Sequence, residues 1–190
     1  MSPPAPRILL HACCGPCAAY PLRELLERSP GREILLWNYN PNIQPTAEWR
    51  RRRDALAFLF HSLPRLGLDA GAVTLDLSAP YDGAAFWRGP AGADGPSERC
   101  RLCYRLRLRA AAREAAARAY PLFSTTLLFS RQQKHEIIRE EALRAQEEFG
   151  VKFHYEDFRR GRREGIRLAQ ELDLYRQNYC GCVLAETDGA

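Results

Sequence analysis

Arg7-Ile8-Leu9-Leu10-His11-Ala12-Cys13-Cys14-Gly15-Pro16-Cys17 sets a short apolar run before a turn, and a helical pattern begins near Ala18. Read as strand, loop and helix, the stretch carries three thiols to a helix N-terminus. Free backbone N–H groups and the macrodipole stabilise negative charge there, so a cysteine so placed loses its proton more readily. Thiolates are both nucleophiles and metal ligands. Gly15 lets the backbone turn without a Cβ clash, and Pro16 suits the first helical turn. Three inert core cysteines would be an unusual use of a tight CCxxC turn.

Outward from this stretch the chain alternates. Residues 8–10 form a predicted first strand and 22–26 a helix, and a second strand at 34–37 enters Asn38-Tyr39-Asn40-Pro41-Asn42. Pro41 and Pro45 confine that stretch to a loop. A helix begins at Thr46 or Ala47, with Trp49, Leu56, Leu59 and Phe60 on its apolar side, and residues 72–77 read as a third strand. The Gly-, Ala- and Pro-rich connection 79–96 is a lid or insertion, partly packed through Phe86-Trp87. Ser97 is the predicted cap of a long helix that carries Cys100 and Cys103 and runs to Ala119. A fourth strand at 122–128, a helix at 132–149, a short strand at 151–154 and a helix at 162–174 complete the series. Strands separated by helices predict an α/β protein, one Rossmann-like domain over residues 1–190 with a parallel sheet covered on both faces. Its site should lie at the strand C-terminal edge, where the opening cysteines sit. Residues 1–6 and 183–190 read as flexible tails.

Composition narrows the function classes. The 190 residues are 46% hydrophobic, enough for a sizeable core. Seven cysteines without a secretory segment suit a reducing compartment, where clustered thiols hold metal or do redox chemistry. No stretch approaches the ~20 apolar residues of a membrane span, so the expectation is a cytoplasmic protein without membrane contact. The formal charge of +5 comes almost wholly from arginine, because lysine occurs only at Lys134 and Lys152. Arginine favours bidentate contact with phosphates and bases, which admits a nucleic-acid partner; a solvated basic surface fits the charge equally well.

The cysteines fall into three groups: Cys13, Cys14 and Cys17; Cys100 and Cys103; Cys180 and Cys182. An i, i+3 pair projects from one helix face, so Cys100 and Cys103 can bind one metal centre together. Cys180 and Cys182 flank Gly181, which allows a tight chelating turn or a strained disulfide. One tetrahedral zinc or one [4Fe-4S] cluster uses four thiols, and the three left over imply a second metal or a redox-active pair. His11 could ligate metal, move a proton or be a buried, hydrogen-bonded histidine. His135 is placed to face the same crevice. Asp157-Phe158-Arg159-Arg160-Gly161 sets a carboxylate and guanidiniums after the last strand, as a site loop or as a cap followed by solvated charge.

His11-x-Cys13-Cys14-x-Pro16-Cys17, Tyr39-Asn40-Pro41-Asn42-Ile43, Glu98-Arg99-Cys100-x-x-Cys103-Tyr104, Thr125-Thr126-Leu127-Leu128, Asp157-Phe158-Arg159-x-Gly161 and Tyr175-Arg176-Gln177-x-Tyr179-Cys180-Gly181-Cys182 together resemble the cobalamin-independent epoxyqueuosine reductase family. The resemblance runs from Ile8 to Cys182. It implies an adenine-nucleotide-hydrolase-like (HUP-type) fold, a [4Fe-4S] cluster with a second adjacent metal ion, expected to be iron, and no cobalamin. It further implies reduction of epoxyqueuosine in a tRNA anticodon loop to queuosine, with an external electron donor.

On that resemblance all seven cysteines serve the cluster and the metal collectively. Cys100 and Cys103 are the leading cluster ligands, Cys13, Cys14 and Cys17 lie between the two centres, and Cys180 and Cys182 either ligate or cycle as a disulfide. His11, His135 and Asp157 are the candidate proton donors or outer ligands. Tyr39, Asn40, Asn42, Arg159, Arg176 and Tyr179 are the candidate substrate contacts. An adenylating enzyme of related fold would carry a Ser-Gly-Gly-x-x-Ser-type phosphate loop where Cys13-Cys14-Gly15-Pro16-Cys17 stands, which argues against ATP use. A thiol-disulfide oxidoreductase leaves most of the cysteines unexplained, and a zinc-stabilised RNA-binding module would show no redox activity.

Overall fold

The computed structural model describes residues 5–187. Five parallel strands, β1 (Ile8–His11), β2 (Ile34–Trp37), β3 (Val73–Asp76), β4 (Leu122–Thr125) and β5 (Lys152–Phe153), form one sheet in the order β3-β2-β1-β4-β5. Every residue of β1 and β2 is buried, as expected for central strands covered on both faces. The chain leaves β1 toward β2 and β3, then crosses to the other side of β1 to make β4. Strand order therefore reverses between β1 and β4, and ligands of open parallel sheets bind in the crevice outside the carboxyl ends of such a pair. The segments that meet there are the Cys13–Cys17 turn after β1 and Thr126 after β4.

The helical layers follow from the crossovers. Helix α1 (Gly15–Arg28) packs on α2 (Thr46–His61) and α6 (Arg162–Glu171), while α4 (Pro96–Ala117) packs on α5 (His135–Phe149) and on the central strands. The close approach of α1 to α2 depends on Gly15, where a Cβ would stand 2.4 Å from the Ala55 carbonyl oxygen. Helix α1 starts earlier than the sequence pattern predicts and runs through Pro21. That proline has no N–H, so the Cys17 carbonyl lacks its i+4 donor.

Several boundaries differ from expectation for local reasons. The apolar run after β4 leaves the sheet at Thr126, because the Thr125 hydroxyl accepts from the Leu127 N–H and starts a 3-10 turn over Thr126–Phe129. Gly95, at φ +107°, precedes α4 in the place predicted for Ser97, whose hydroxyl instead meets Lys134 Nζ at 2.9 Å. The connection 79–96 is ordered around α3 (Gly83–Arg88): Phe86 is fully buried against Cys103 and Cys182, whereas Trp87 is 51% exposed. On α2 the core face is Arg52, Ala55, Leu56 and Leu59, with Trp49 and Phe60 only partly buried. The predicted tails lie partly outside the described residues; within them, Leu184–Thr187 is a single helical turn.

Candidate metal centre

Three thiols converge at the end of β1. The sulfurs of Cys13, Cys14 and Cys17 all lie within 4.8 Å of one another, and those of Cys13 and Cys14 are 3.7 Å apart. Cys13 is also fixed to the β4 side of the crevice, its N–H donating to Thr126 Oγ1 at 3.4 Å and its sulfur 3.7 Å from the same oxygen. Hydrogen bonds from Cys14 and Cys17 hold the Cys13 thiol well below its usual range. Burial raises Cys14, and its bonds to the neighbouring thiols raise Cys17. A thiol pushed toward the thiolate between two that keep their protons favours negative charge at this point, the electrostatic condition for receiving a cation.

The other four thiols line a second, smaller cavity of about 40 Å³: Cys100 and Cys103 from α4, Cys180 and Cys182 from the C-terminal segment. Burial pushes Cys103 up to about 11 and raises Cys100 and Cys182. All seven cysteines are free. Cys180 also lines the large cavity, of about 440 Å³, together with Cys13, Cys17 and Arg107, so the two thiol sets adjoin. Soft donors gathered in this way, four of them buried and three half-buried, suit thiophilic metal; the three-cysteine cluster alone offers three of the four ligands of a tetrahedral site.

The C-terminal segment is tied down by polar contacts to α2. Arg52, 1% exposed, donates to Glu48 at 2.7 Å and to the Tyr179 carbonyl at 3.2 Å, and its guanidinium lies over the Tyr179 ring. Tyr175 donates to Glu48 at 2.7 Å and Tyr179 to the Gln44 carbonyl at 2.6 Å. The Gln44 N–H meets the Gly181 carbonyl at 2.8 Å. Gly181 sits at φ +102° with Ile43 and Arg52 against it, a position closed to other residues. Held this way, the segment places the Gln177 amide N–H on Cys14 Sγ at 2.7 Å and on Cys17 Sγ at 3.4 Å.

The residues expected to move protons are otherwise engaged. His11 is fully buried; its Nε2 faces the Tyr39 carbonyl at 3.0 Å and its Nδ1 faces Thr125 Oγ1 at 2.9 Å. A carbonyl only accepts, so Nε2 carries the hydrogen and Nδ1 accepts from Thr125. Burial, then Arg107, lowers its pKa to about 4, so the ring is neutral and frames the β1 end. Asp157 accepts from the Arg159 N–H and pairs with its guanidinium at 2.5 and 2.7 Å, which brings its pKa down to about 2. It is a carboxylate that caps Phe158–Gly161. His135 meets the Ser130 carbonyl at 3.2 Å, and neither it nor Asp157 lines either cavity.

The expected substrate contacts divide. Arg176 and Tyr179 line the large cavity and Asn42 the small one. Asn40, like Asn38, donates to the Ala12 carbonyl at 2.9 Å and so holds the thiol turn, and Tyr39 stacks on Trp37. Arg159 is spent on Asp157. Sequence reasoning missed Arg131 and Arg162, which stand with Arg176 around the large cavity, all three exposed and, among the described residues, without a carboxylate partner. It also missed Arg107, although Cys100, Cys103 and Arg107 fall at i, i+3 and i+7, one face of α4.

A family model described as epoxyqueuosine reductase QueH matches residues 8–188. The chain belongs to that family, and with it to the oxidoreductases. It is 36% identical over 184 residues to the epoxyqueuosine reductase QueH of Dehalococcoides mccartyi, covering 96% of this chain and 93% of that protein. To the QueH of Thermotoga maritima it is 34% identical over 181 residues, 94% and 89% of the two chains. To the Staphylococcus epidermidis protein it is 30% identical over 188 residues, 95% and 76%. Among the described residues no helix is long and apolar enough to cross a membrane.

Proposed function

We propose that this protein reduces epoxyqueuosine in tRNA to queuosine, with its thiols divided between a [4Fe-4S] cluster, an adjacent iron and a redox dithiol. The observation that carries the reading is the convergence of Cys13, Cys14 and Cys17 at the end of β1 beside a second cavity lined by the other four free cysteines, in a QueH-family chain. Cys13 and Cys14 with Cys100 and Cys103 would hold the cluster, an allotment supported by Arg107, which lines the large cavity with Cys13 and the small one with Cys100 and Cys103. Cys17, beside Cys13 and Cys14 and open to the large cavity, would face the second ion. When bound, these groups supply single-electron transfer and Lewis acidity.

Removing the epoxide oxygen consumes two electrons and two protons and yields an alkene and water. Oxidation of Cys180 and Cys182 to a disulfide releases the same two electrons and two protons. The pair is free, Cys180 reaches both cavities, and burial keeps the Cys182 proton in place at neutral pH. With His11 neutral and hydrogen-bonded and Asp157 ionised, the dithiol is also the best-placed proton source. An external donor would return the disulfide to the dithiol. Arg131, Arg162 and Arg176, which among the described residues lack carboxylate partners, would hold RNA phosphates around the large cavity, and Tyr179 offers the ring face that Arg52 leaves uncovered for an unstacked base.

The test is anaerobic preparation with iron, sulfide and zinc analysis, followed by incubation with epoxyqueuosine tRNA and nucleoside chromatography. About four cluster irons per chain, with epoxyqueuosine converted to queuosine, is the expected result. A protein that takes up zinc alone and leaves the tRNA unchanged would reject the reading.

A further inference from the structure

Two buried side chains face the small thiol cavity with hydrogen-bonding capacity unused among the described residues. Asn38 and Asn40 spend their amides on the Ala12 carbonyl, but Asn42, from the same loop and only 1% exposed, makes no side-chain hydrogen bond among the described residues; its Oδ1 is buried without a donor, no bond fixes which end of the amide faces the cavity, and a flip about the last side-chain torsion presents the NH2 there. Arg107 is 4% exposed; its Nε donates to the Cys103 carbonyl at 3.2 Å and its guanidinium lies 5.5 Å from the centre of the Tyr104 ring. Among the described residues no carboxylate comes within salt-bridge distance of it, and its two terminal nitrogens meet no acceptor. Arg52, another buried guanidinium, shows the contrast: it has Glu48. Buried amides are normally paired, and a buried cation requires an anion or several acceptors. A water could serve Asn42, but it would not balance the charge of Arg107.

We infer that Asn42 and Arg107 are positioning residues of the metal centre, donating N–H···S hydrogen bonds to the anionic thiolate-ligated group held beside them and raising its reduction potential. The inference rests on the cluster reading above. Its chemistry is general: thiolate-bound iron-sulfur groups gain negative charge on reduction, and a fixed cation and N–H donors favour the more negative state. Arg107 lines both cavities, so its field reaches the group however the individual thiols are allotted. Asn42 moves from substrate contact to cluster support, and the unpaired amide, which costs stability in the empty protein, becomes useful on loading.

The experiment compares wild type with Asn42→Leu, Arg107→Gln and Arg107→Lys, each anaerobically reconstituted and assayed for iron and sulfide, then poised electrochemically while the cluster spectrum is read. Asn42→Leu should keep full iron, shift the midpoint potential to more negative values, and leave the metal-free protein as stable as wild type or more so, since a buried unpaired amide has been removed. Arg107→Gln should shift the potential further negative, and Arg107→Lys should restore most of it. If Arg107→Gln does not fold, Asn42→Leu decides the matter alone. Fully loaded Asn42→Leu at the wild-type potential would overturn the proposal while leaving the cluster reading intact. Wild type that takes up no iron and sulfide would overturn both, and the metal analysis tells the two failures apart.

Discussion

Apart from Cys100 and Cys103 on α4, the thiols reach the crevice on two kinds of support. Cys13, Cys14 and Cys17 hang from the most buried strand of the sheet, between His11 bonded on both ring nitrogens and the Asn38 and Asn40 amides clamped on Ala12. Cys180 and Cys182 lie on an irregular segment fastened by the side chains of Glu48, Arg52, Tyr175 and Tyr179. A thiol set built into the sheet cannot shift without disturbing the core, which suits permanent ligands. A segment held by a few polar contacts can accommodate a bond made and broken in each turnover. The difference in support thus parallels the proposed difference in role.

Cysteine replacements test that parallel most severely. Cys100→Ala should lose cluster iron and sulfide altogether, because its i, i+3 partner Cys103 is left alone on α4. Cys180→Ser and Cys182→Ser should retain iron and sulfide yet lose turnover, for want of the dithiol. If Cys180→Ser also lost its iron, the two regions would share one function and the contrast would fail. Arg52→Met comes next in size: it leaves Glu48 a buried carboxylate without a cation, held only by the Tyr175 hydroxyl, and breaking such a pair from one side costs about 3–5 kcal/mol. Urea unfolding monitored by circular dichroism measures the loss; one below about 1 kcal/mol would mean that solvent already reaches Glu48.

What sequence could show follows the same division. The continuous apolar runs of β1 and β2 are unmistakable because both strands are covered on both faces. The run after β4 is just as apolar, but a hydroxyl at Thr125 turns it into a 3-10 helix, and hydropathy cannot separate the two outcomes. Cysteine spacing points to a cluster able to bind metal; which thiols share a cavity depends on where residues about 80 apart in sequence meet. His11 and Asp157 are legible as residue types, yet their roles are set by Tyr39, Thr125 and Arg159, partners that only the folded chain supplies to the histidine. Glu48 and Arg52 read as solvent-facing helix charges, and Arg107 disappears among the many arginines of α4, because charge is normally an index of exposure.

The smallest prediction isolates the fastening itself. Tyr175→Phe deletes one hydroxyl that donates to Glu48 at 2.7 Å and leaves the Glu48–Arg52 pair in place. A hydrogen bond to a charged acceptor would be worth more in a dry site, but Tyr175 is itself exposed, so the loss should be about 1 kcal/mol. The effect should fall on the C-terminal segment and spare the sheet. In the metal-free, reduced protein, alkylation of Cys180 and Cys182 should therefore accelerate in Tyr175→Phe while Cys13, which is held by Thr126 and not by the segment, reacts at the wild-type rate, as followed by peptide mass spectrometry. Equal acceleration at both sets would mean that the segment and the β1 turn open together, and the distinction between a permanent and an exchangeable thiol support would be lost.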